Sequence, residues 1–149
     1  MSIFDQVSAD IRTAMKARDH ERLEALKGIK AELLLLKTAP GSNGEVADTD
    51  AVKALVRMNK QRRESAEIYT QQNRQDLADV ELAQAAVIGE YLPKQLSDEE
   101  LQQAIKAIID QVGATSMKDM GKVMGIATKQ LAGKAEGKAI SAKVKQLLA

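Results

Sequence analysis

Between Met117 and Ala149 stand Lys118, Lys122, Lys129, Lys134, Lys138, Lys143 and Lys145, opposed only by Asp119 and Glu136. Lysines at this density can neutralise a run of phosphates, which makes them the candidate contacts of the sequence for a nucleic-acid backbone. Lys118, Lys122 and Lys129 are spaced by four and seven, so one helix face could carry all three. No aromatic is interleaved among them, and recognition of single strands by base stacking is not expected. The same lysines would also serve as a plain solvated surface. The charge is local: residues 1–96 hold 14 basic and 15 acidic side chains, and the whole 149-residue chain carries only +1. That total argues against a generally cationic nucleic-acid binder.

Catalytic chemistry has fewer footholds. The single His, His20, sits in the polar junction Arg18-Asp19-His20-Glu21 and has no Cys or paired ligand beside it. It reads as a surface residue near a helix end, and no metal site or cofactor is expected. With zero Cys, disulfides, thiolate metal sites and a Cys nucleophile are excluded. No catalytic residue is assigned. Glu81, close to an apolar stripe, is the best acid/base candidate, although a structural ion pair suits it better. There is no GxxxxGK[ST], GxGxxG, HExxH or GxSxG. Gly133-Lys134-Ala135-Glu136-Gly137 lacks the Ser/Thr of a phosphate loop and follows no strand, so it reads as a turn between helices.

Arg62 and Asn59 fall on a stripe that otherwise faces inward. An Arg there needs a carboxylate from another helix, because an unpaired buried charge is costly. Arg74 beside Asp76 can lock a turn in the same way. Lys60-Gln61-Arg62-Arg63-Glu64-Ser65 is basic, but Lys60 with Glu64 and Arg63 with Glu67 form i,i+4 pairs of a solvated face.

The elements that must position these groups are helices. Phe4, Tyr69 and Tyr91 are the only aromatics. The rest is rich in Ala, Leu, Lys, Glu and Gln, which favour helix over strand. A first helix runs from Ser2 to Arg18 with Ile3, Val7, Ile11, Ala14 and Met15 inward. A second carries Leu23, Leu26, Ile29, Leu33 and Leu36, and its continuous run Leu33–Leu36 predicts cover on more than one side. Pro40, Gly41 and Gly44 make a loop. Asp48 or Thr49 caps a long third helix that presents Val52, Leu55, Val56, Asn59, Arg62, Ala66 and Tyr69 and ends at Asn73. Asp76 caps a fourth, with Leu77, Val80, Val87, Ile88 and Tyr91 on its apolar side, forming an antiparallel hairpin with the third. Pro93 stops it. Ser97 and Glu100 form a capping box for a fifth helix ending at Gly113. Ser116 with Asp119 resembles a second box before a sixth helix bearing Met120, Val123, Met124, Ala127 and Leu131. Gly133 and Gly137 frame a connection, and Ser141 opens a last short helix. The reading is all-α: a helical part over residues 1–95 with a long antiparallel hairpin, then a small three-helix part over 96–149.

Gly121-Lys122-Val123-Met124-Gly125, Gly133-Lys134-Ala135 and Leu147-Leu148 resemble the tail domain of the GatB subunit of glutamyl/aspartyl-tRNA amidotransferase. Over its whole length the chain resembles the stand-alone proteins of the GatB/YqeY family. Further matches are Met15-Lys16-Ala17-Arg18-Asp19, Lys60-Gln61-Arg62-Arg63-Glu64-Ser65, Arg74-Gln75-Asp76-Leu77-Ala78 with Glu81, and Tyr91-Leu92-Pro93-Lys94-Gln95-Leu96. Asn73 stands where the family often has Gly, and both accept a left-handed turn. The resemblance implies a helical N-terminal part and a three-helix tail. It implies tRNA as a partner, since the related tail helps to hold the tRNA body. It also implies kinship with carbon–nitrogen ligases that use glutamine as amido-nitrogen donor. The amidase and kinase-like active sites of the amidotransferase lie in parts this chain lacks.

The sequence therefore supports a non-catalytic, tRNA-associated binding module. The alternative is an adaptor that docks on a tRNA synthetase or amidotransferase through its long hairpin. A stand-alone ligase would need a nucleophile to release ammonia, and no Ser here has a convincing base beside it. Gly121 and Gly125 bracket Met124 and would let a helix or an RNA phosphate approach the backbone. No apolar run approaches the roughly 20 residues of a membrane span. Met1-Ser2-Ile3-Phe4-Asp5 lacks a basic region followed by an apolar one, so no signal peptide is expected. A cytoplasmic location and no membrane partner are expected.

Overall fold

Every element of the computed structural model, which describes residues 1–149, is helical. The chain divides into two compact units, Met1–Leu92 and Pro93–Ala149.

The first unit holds α1 (Ile3–Ala17), α2 (His20–Lys37), α3 (Asp48–Gln71) and α4 (Gln75–Gly89). Ser2 caps α1 by accepting from the Asp5 amide, and Asp19 caps α2 by accepting from the Arg22 amide. Between those helices Arg18 adopts a left-handed conformation, φ 57°, which lets α1 stop and α2 start two residues later. The core joins Ile3, Val7 and Ala14 of α1, Leu26, Ile29 and Leu33 of α2, Ala51 and Leu55 of α3, and Ile88 of α4. Phe4 packs at its edge with the Lys37 ammonium 4.6 Å from the ring centre. α3 and α4 run in opposite directions, with Asn59 against Ala85 and Arg62 against Glu81. Asn73 takes the left-handed conformation expected of it, φ 59°, in the turn between them.

Several local expectations are corrected in this unit. The cap of α3 is Ala47, without a side-chain bond; Asp48 lies inside the helix, and its carboxylate accepts from the Ile3 amide at 3.0 Å. A carboxylate in the first turn also suits the helix dipole, so Asp48 ties α1 to α3 instead of capping. Arg74, not Asp76, is the cap residue of α4. That helix ends at Gly89, ahead of Pro93, so Tyr91 lies beyond it. Gly is a poor helix former, and the residue before a proline is pushed out of helical geometry. Met15 and Val80 were expected inward but are 58% and 54% exposed. The run Leu33–Leu36 is not covered on a second side: Leu34 and Leu35 are exposed.

The second unit holds α5 (Asp98–Val112), a single 3-10 turn (Met117–Asp119), α6 (Met120–Gln130) and α7 (Gly137–Leu148). The Ser97–Glu100 capping box is present in both directions, and Gly113 closes α5 with φ 68°. Leu101, Ile105 and Ile108 meet Val123, Ala127 and Leu131 of α6 and Ile140, Val144 and Leu148 of α7. Ser116 and Asp119 do not form a second box. Ser116 accepts from the Lys118 amide and Asp119 from the Thr115 amide, around a 3-10 turn that delays α6 to Met120. α7 starts at Gly137, one turn before Ser141, with Glu136 as its cap residue.

Candidate nucleic-acid interface

The seven C-terminal lysines come from four local environments. Lys118 sits on the 3-10 turn, Lys122 and Lys129 on α6, Lys134 in the turn after α6, and Lys138, Lys143 and Lys145 on α7. Lys118 therefore lies outside the continuous helix that its spacing suggested. Lys122 and Lys129, seven apart on one helix, do share a face. Lys118, Lys122, Lys129, Lys134, Lys138 and Lys145 are all exposed.

Lys143 leaves this set. It retains 7% of its exposure, and its Nζ lies 2.9 Å from Asp98 Oδ1 at the start of α5. The cause is its place on α7: Lys143 follows Ile140 by three and precedes Val144, so its stem lies on the buried stripe. Its ammonium clamps α7 to α5 and is taken up by a carboxylate. Spacing against Ile140 and Val144 was the available signal, outweighed by treating the lysines as one group.

Lys134 is held in place by its backbone. Gly133 turns left-handed, φ 77°, a conformation that costs a side-chain-bearing residue about 1–2 kcal/mol. Gln95 Nε2 donates to the Gly133 carbonyl at 2.6 Å, and the Leu96 amide donates to the Lys134 carbonyl at 2.9 Å. The segment after Pro93 therefore pins the turn that displays Lys134. On α6, beyond the neighbouring residues and the helix's own backbone, nothing lies within 4 Å of where a Cβ would stand at Gly121 or Gly125. No other helix of the second unit fills that surface, and Met124 between the two glycines is half-buried.

The first unit brings together the other sequence-selected groups. Arg62 Nη1 donates to both Glu81 oxygens, at 3.1 and 3.3 Å, so the carboxylate sought across the helices is Glu81. Glu81 is thereby engaged as an ion-pair partner. Asn59, buried beneath, donates from Nδ2 to the Ala85 carbonyl at 2.8 Å. Arg74 grips Asp76 with Nε and Nη2, each at 3.1 Å. That fork holds the Asp76 carboxyl below its ordinary pKa and raises the Arg74 guanidinium. His20 is exposed in the first turn of α2. No three His, Cys, Asp or Glu side chains gather in a metal-binding arrangement.

Two contacts had no sequence signal. The Tyr91 hydroxyl donates to Asp10, and burial and that bond push the phenol pKa upward. Arg22 meets Glu90 at 2.6 Å, which raises the guanidinium. Both partnerships join residues far apart in sequence and tie the end of α4 to α1 and α2.

Fold and surface together define an all-helical protein of two units whose open chemical groups are charges. The chain belongs to the Yqey-like protein family, whose pattern matches residues 4–148. Among curated relatives it is similar to "Altered inheritance of mitochondria protein 41, mitochondrial" of Meyerozyma guilliermondii, 32% identical over 129 residues, 82% of this chain and 66% of the relative. The protein of the same name from Clavispora lusitaniae is 26% identical over 115 residues, 76% of this chain and 66% of the relative. The chain thus spans just under two thirds of the length of these relatives. No helix is long and apolar enough to cross a membrane.

Proposed function

We propose that this protein is a non-catalytic RNA-binding module that holds the phosphate backbone of a structured RNA, tRNA in the first instance, against its second unit. The observation that carries the reading is the exposed basic set Lys118, Lys122, Lys129, Lys134, Lys138 and Lys145 on the unit that also leaves the backbone of Gly121 and Gly125 uncovered. Lysines supply phosphate neutralisation, and the glycines leave room for close approach. The resemblance of this unit to the amidotransferase tail supports tRNA as the partner, and on this reading any carbon–nitrogen ligase chemistry would belong to another protein. A reducing compartment suits a chain without cysteine. The cytoplasm is the proposed location, although both named relatives are mitochondrial.

The test is fluorescence anisotropy with labelled tRNA across salt concentrations, with random duplex RNA as competitor. The expected result is a preference for tRNA and a log–log salt slope that falls by about 2 in Lys122→Ala/Lys134→Ala, near 0.9 per lost phosphate contact. An unchanged affinity and slope in that variant overturns the site. Glutaminase turnover by the purified chain overturns the non-catalytic reading.

The adaptor alternative, docking through the α3–α4 hairpin, draws on Val80 and Leu82 of α4, with Leu34 and Leu35 of α2 exposed besides. A pull-down from RNase-treated lysate without a stoichiometric protein partner would count against it.

A further inference from the structure

An open groove of about 560 Å³ lies in the first unit where the start of α2 faces α4. Its floor is Val80, Ala83 and Val87, with Val80 54% exposed. Its rim carries four carboxylates, Asp19, Glu21, Glu24 and Asp79. Arg22 is the only cation in the lining, and Glu90 already holds it at 2.6 Å. No cation pairs with any of the four acids. Asp19 accepts from the Arg22 amide and Asp79 from Gln75, both neutral donors. The groove therefore combines an apolar floor with negative charge left uncompensated at its edges. Phosphates would be repelled there.

We infer that this groove docks a basic amphipathic helix of a protein partner, with its apolar stripe on Val80, Ala83 and Val87 and its Lys or Arg side chains on Glu21, Glu24 and Asp79. The volume falls within the roughly 300–1,000 Å³ of ligand pockets and accommodates side chains from one helix face. Helix-in-groove recognition supplies affinity from the apolar anchors. The carboxylate rim supplies attraction and orientation, because flanking cations on the partner meet opposite charge. The inference rests on the adaptor reading only in requiring a protein occupant. None of the C-terminal lysines lines the groove, so it stands apart from RNA binding.

The probe is a labelled Leu/Lys amphipathic peptide of 14 residues or so, a length of about 21 Å as a helix, with its Leu/Glu counterpart as control. Anisotropy is read with the full chain, with Glu21→Gln/Glu24→Gln/Asp79→Asn, with Val80→Ser and with Lys122→Ala/Lys134→Ala. Asp19 is kept because it caps α2. The expected result is binding of the Leu/Lys peptide only, at least tenfold weaker in the triple variant and about threefold weaker in Val80→Ser, with the lysine variant unchanged. Thermal melts confirm that each variant is folded. Absence of Leu/Lys binding, or binding indifferent to the groove variants, overturns the inference while leaving the adaptor reading to its pull-down. Displacement by spermidine combined with indifference to Val80→Ser also overturns it, in favour of a small polycation.

Discussion

Replacing Arg62 by Met should destabilise the first unit by about 2 kcal/mol, and most of that loss should vanish when Glu81→Gln is already present. Arg62 Nη1 lies 3.1 and 3.3 Å from the Glu81 oxygens, and the two side chains retain 35% and 17% of their exposure. At that separation and an effective dielectric near 20, the gross attraction is about 5 kcal/mol. Desolvation cancels much of it. Exposed pairs contribute about 0–1 kcal/mol, whereas breaking a buried pair costs about 3–5. A one-third-exposed Arg against a mostly covered Glu falls between, near 2 kcal/mol. Met retains the stem packing, so the change isolates the charge and its hydrogen bonds. Glu81→Gln should cost less, about 1 kcal/mol, because the guanidinium still reaches water. The assay is urea unfolding followed by tyrosine fluorescence. Tyr69 and Tyr91 are the only tyrosines and Trp is absent, so the signal comes from the first unit alone. A loss of 2 kcal/mol in a unit of this size corresponds to roughly 8–16 °C in Tm. A coupling energy below about 0.5 kcal/mol, the usual limit of additivity, would refute the pairing as an energetic link between α3 and α4.

Three further outcomes follow from the same structure. Lys143→Ala should loosen the second unit by about 2 kcal/mol, chiefly through the lost packing of its buried stem because Asp98 is 81% exposed and stays hydrated, while Lys145→Ala stays within about 0.5 kcal/mol; amide exchange in α5 and α7 reads both, and equal effects would put Lys143 back on the surface. Gly121→Ala should stabilise α6 by about 0.4–1 kcal/mol, since the added Cβ meets nothing, yet lower tRNA affinity at least threefold; unchanged affinity would remove phosphate from that backbone. Tyr91 has a raised pKa, so folding favours its protonated form: that contribution is complete below the ordinary phenol pKa of about 10 and is lost as pH rises beyond it. Ultraviolet titration should show a late-ionising tyrosine that disappears in Tyr91→Phe or once the chain is unfolded in urea, and an ordinary profile for wild type would contradict the Asp10 bond.

Helix identity was legible because the determinants are local. Leu26, Ile29 and Leu33 recur at helical steps, Ser97 and Glu100 stand three apart, and Asn73 sits where a left-handed residue is needed. A polar residue on an apolar stripe was equally informative: Arg62 announced a cross-helix partner. Which partner it had was not legible, because α4 offered several acids and only packing selects Glu81. Caps misled where a longer-range use of the same side chain won. Asp48 could cap α3, but its oxygen serves the Ile3 amide 45 residues away. Val80 and Met15 carry apolar side chains at a helical step, yet both are exposed. Periodicity reports that a face is apolar; it does not report whether the cover comes from the same chain. The candidate interface was legible as composition, and the odd member in it was legible only through spacing, since Lys143 stands three after Ile140 and one before Val144 on the buried stripe of α7.

The shifted titratable groups bear on what this fold does. General acid–base work requires neighbouring groups whose environments separate their pKa values and whose protons can reach a substrate. Here each displaced group is accounted for by a structural partner. Arg22 is held by Glu90, Asp76 by Arg74, Glu100 by the Ser97 cap, and Tyr91 by burial and Asp10. These partnerships fix helix ends and crossings. The exposed lysines Lys118, Lys122, Lys129, Lys134, Lys138 and Lys145 of the second unit, and Glu21 and Glu24 at the groove of the first, have no such engagement. Charge left unpaired on a rigid helical surface is a means of attraction, strong at low salt and weakened by screening. The two surfaces carry opposite sign, so they select opposite partners. On the proposed readings an RNA would gain from the lysines and be turned away by the groove, whereas a basic helix would do the reverse. The separate groove and lysine variants therefore resolve the two proposed activities.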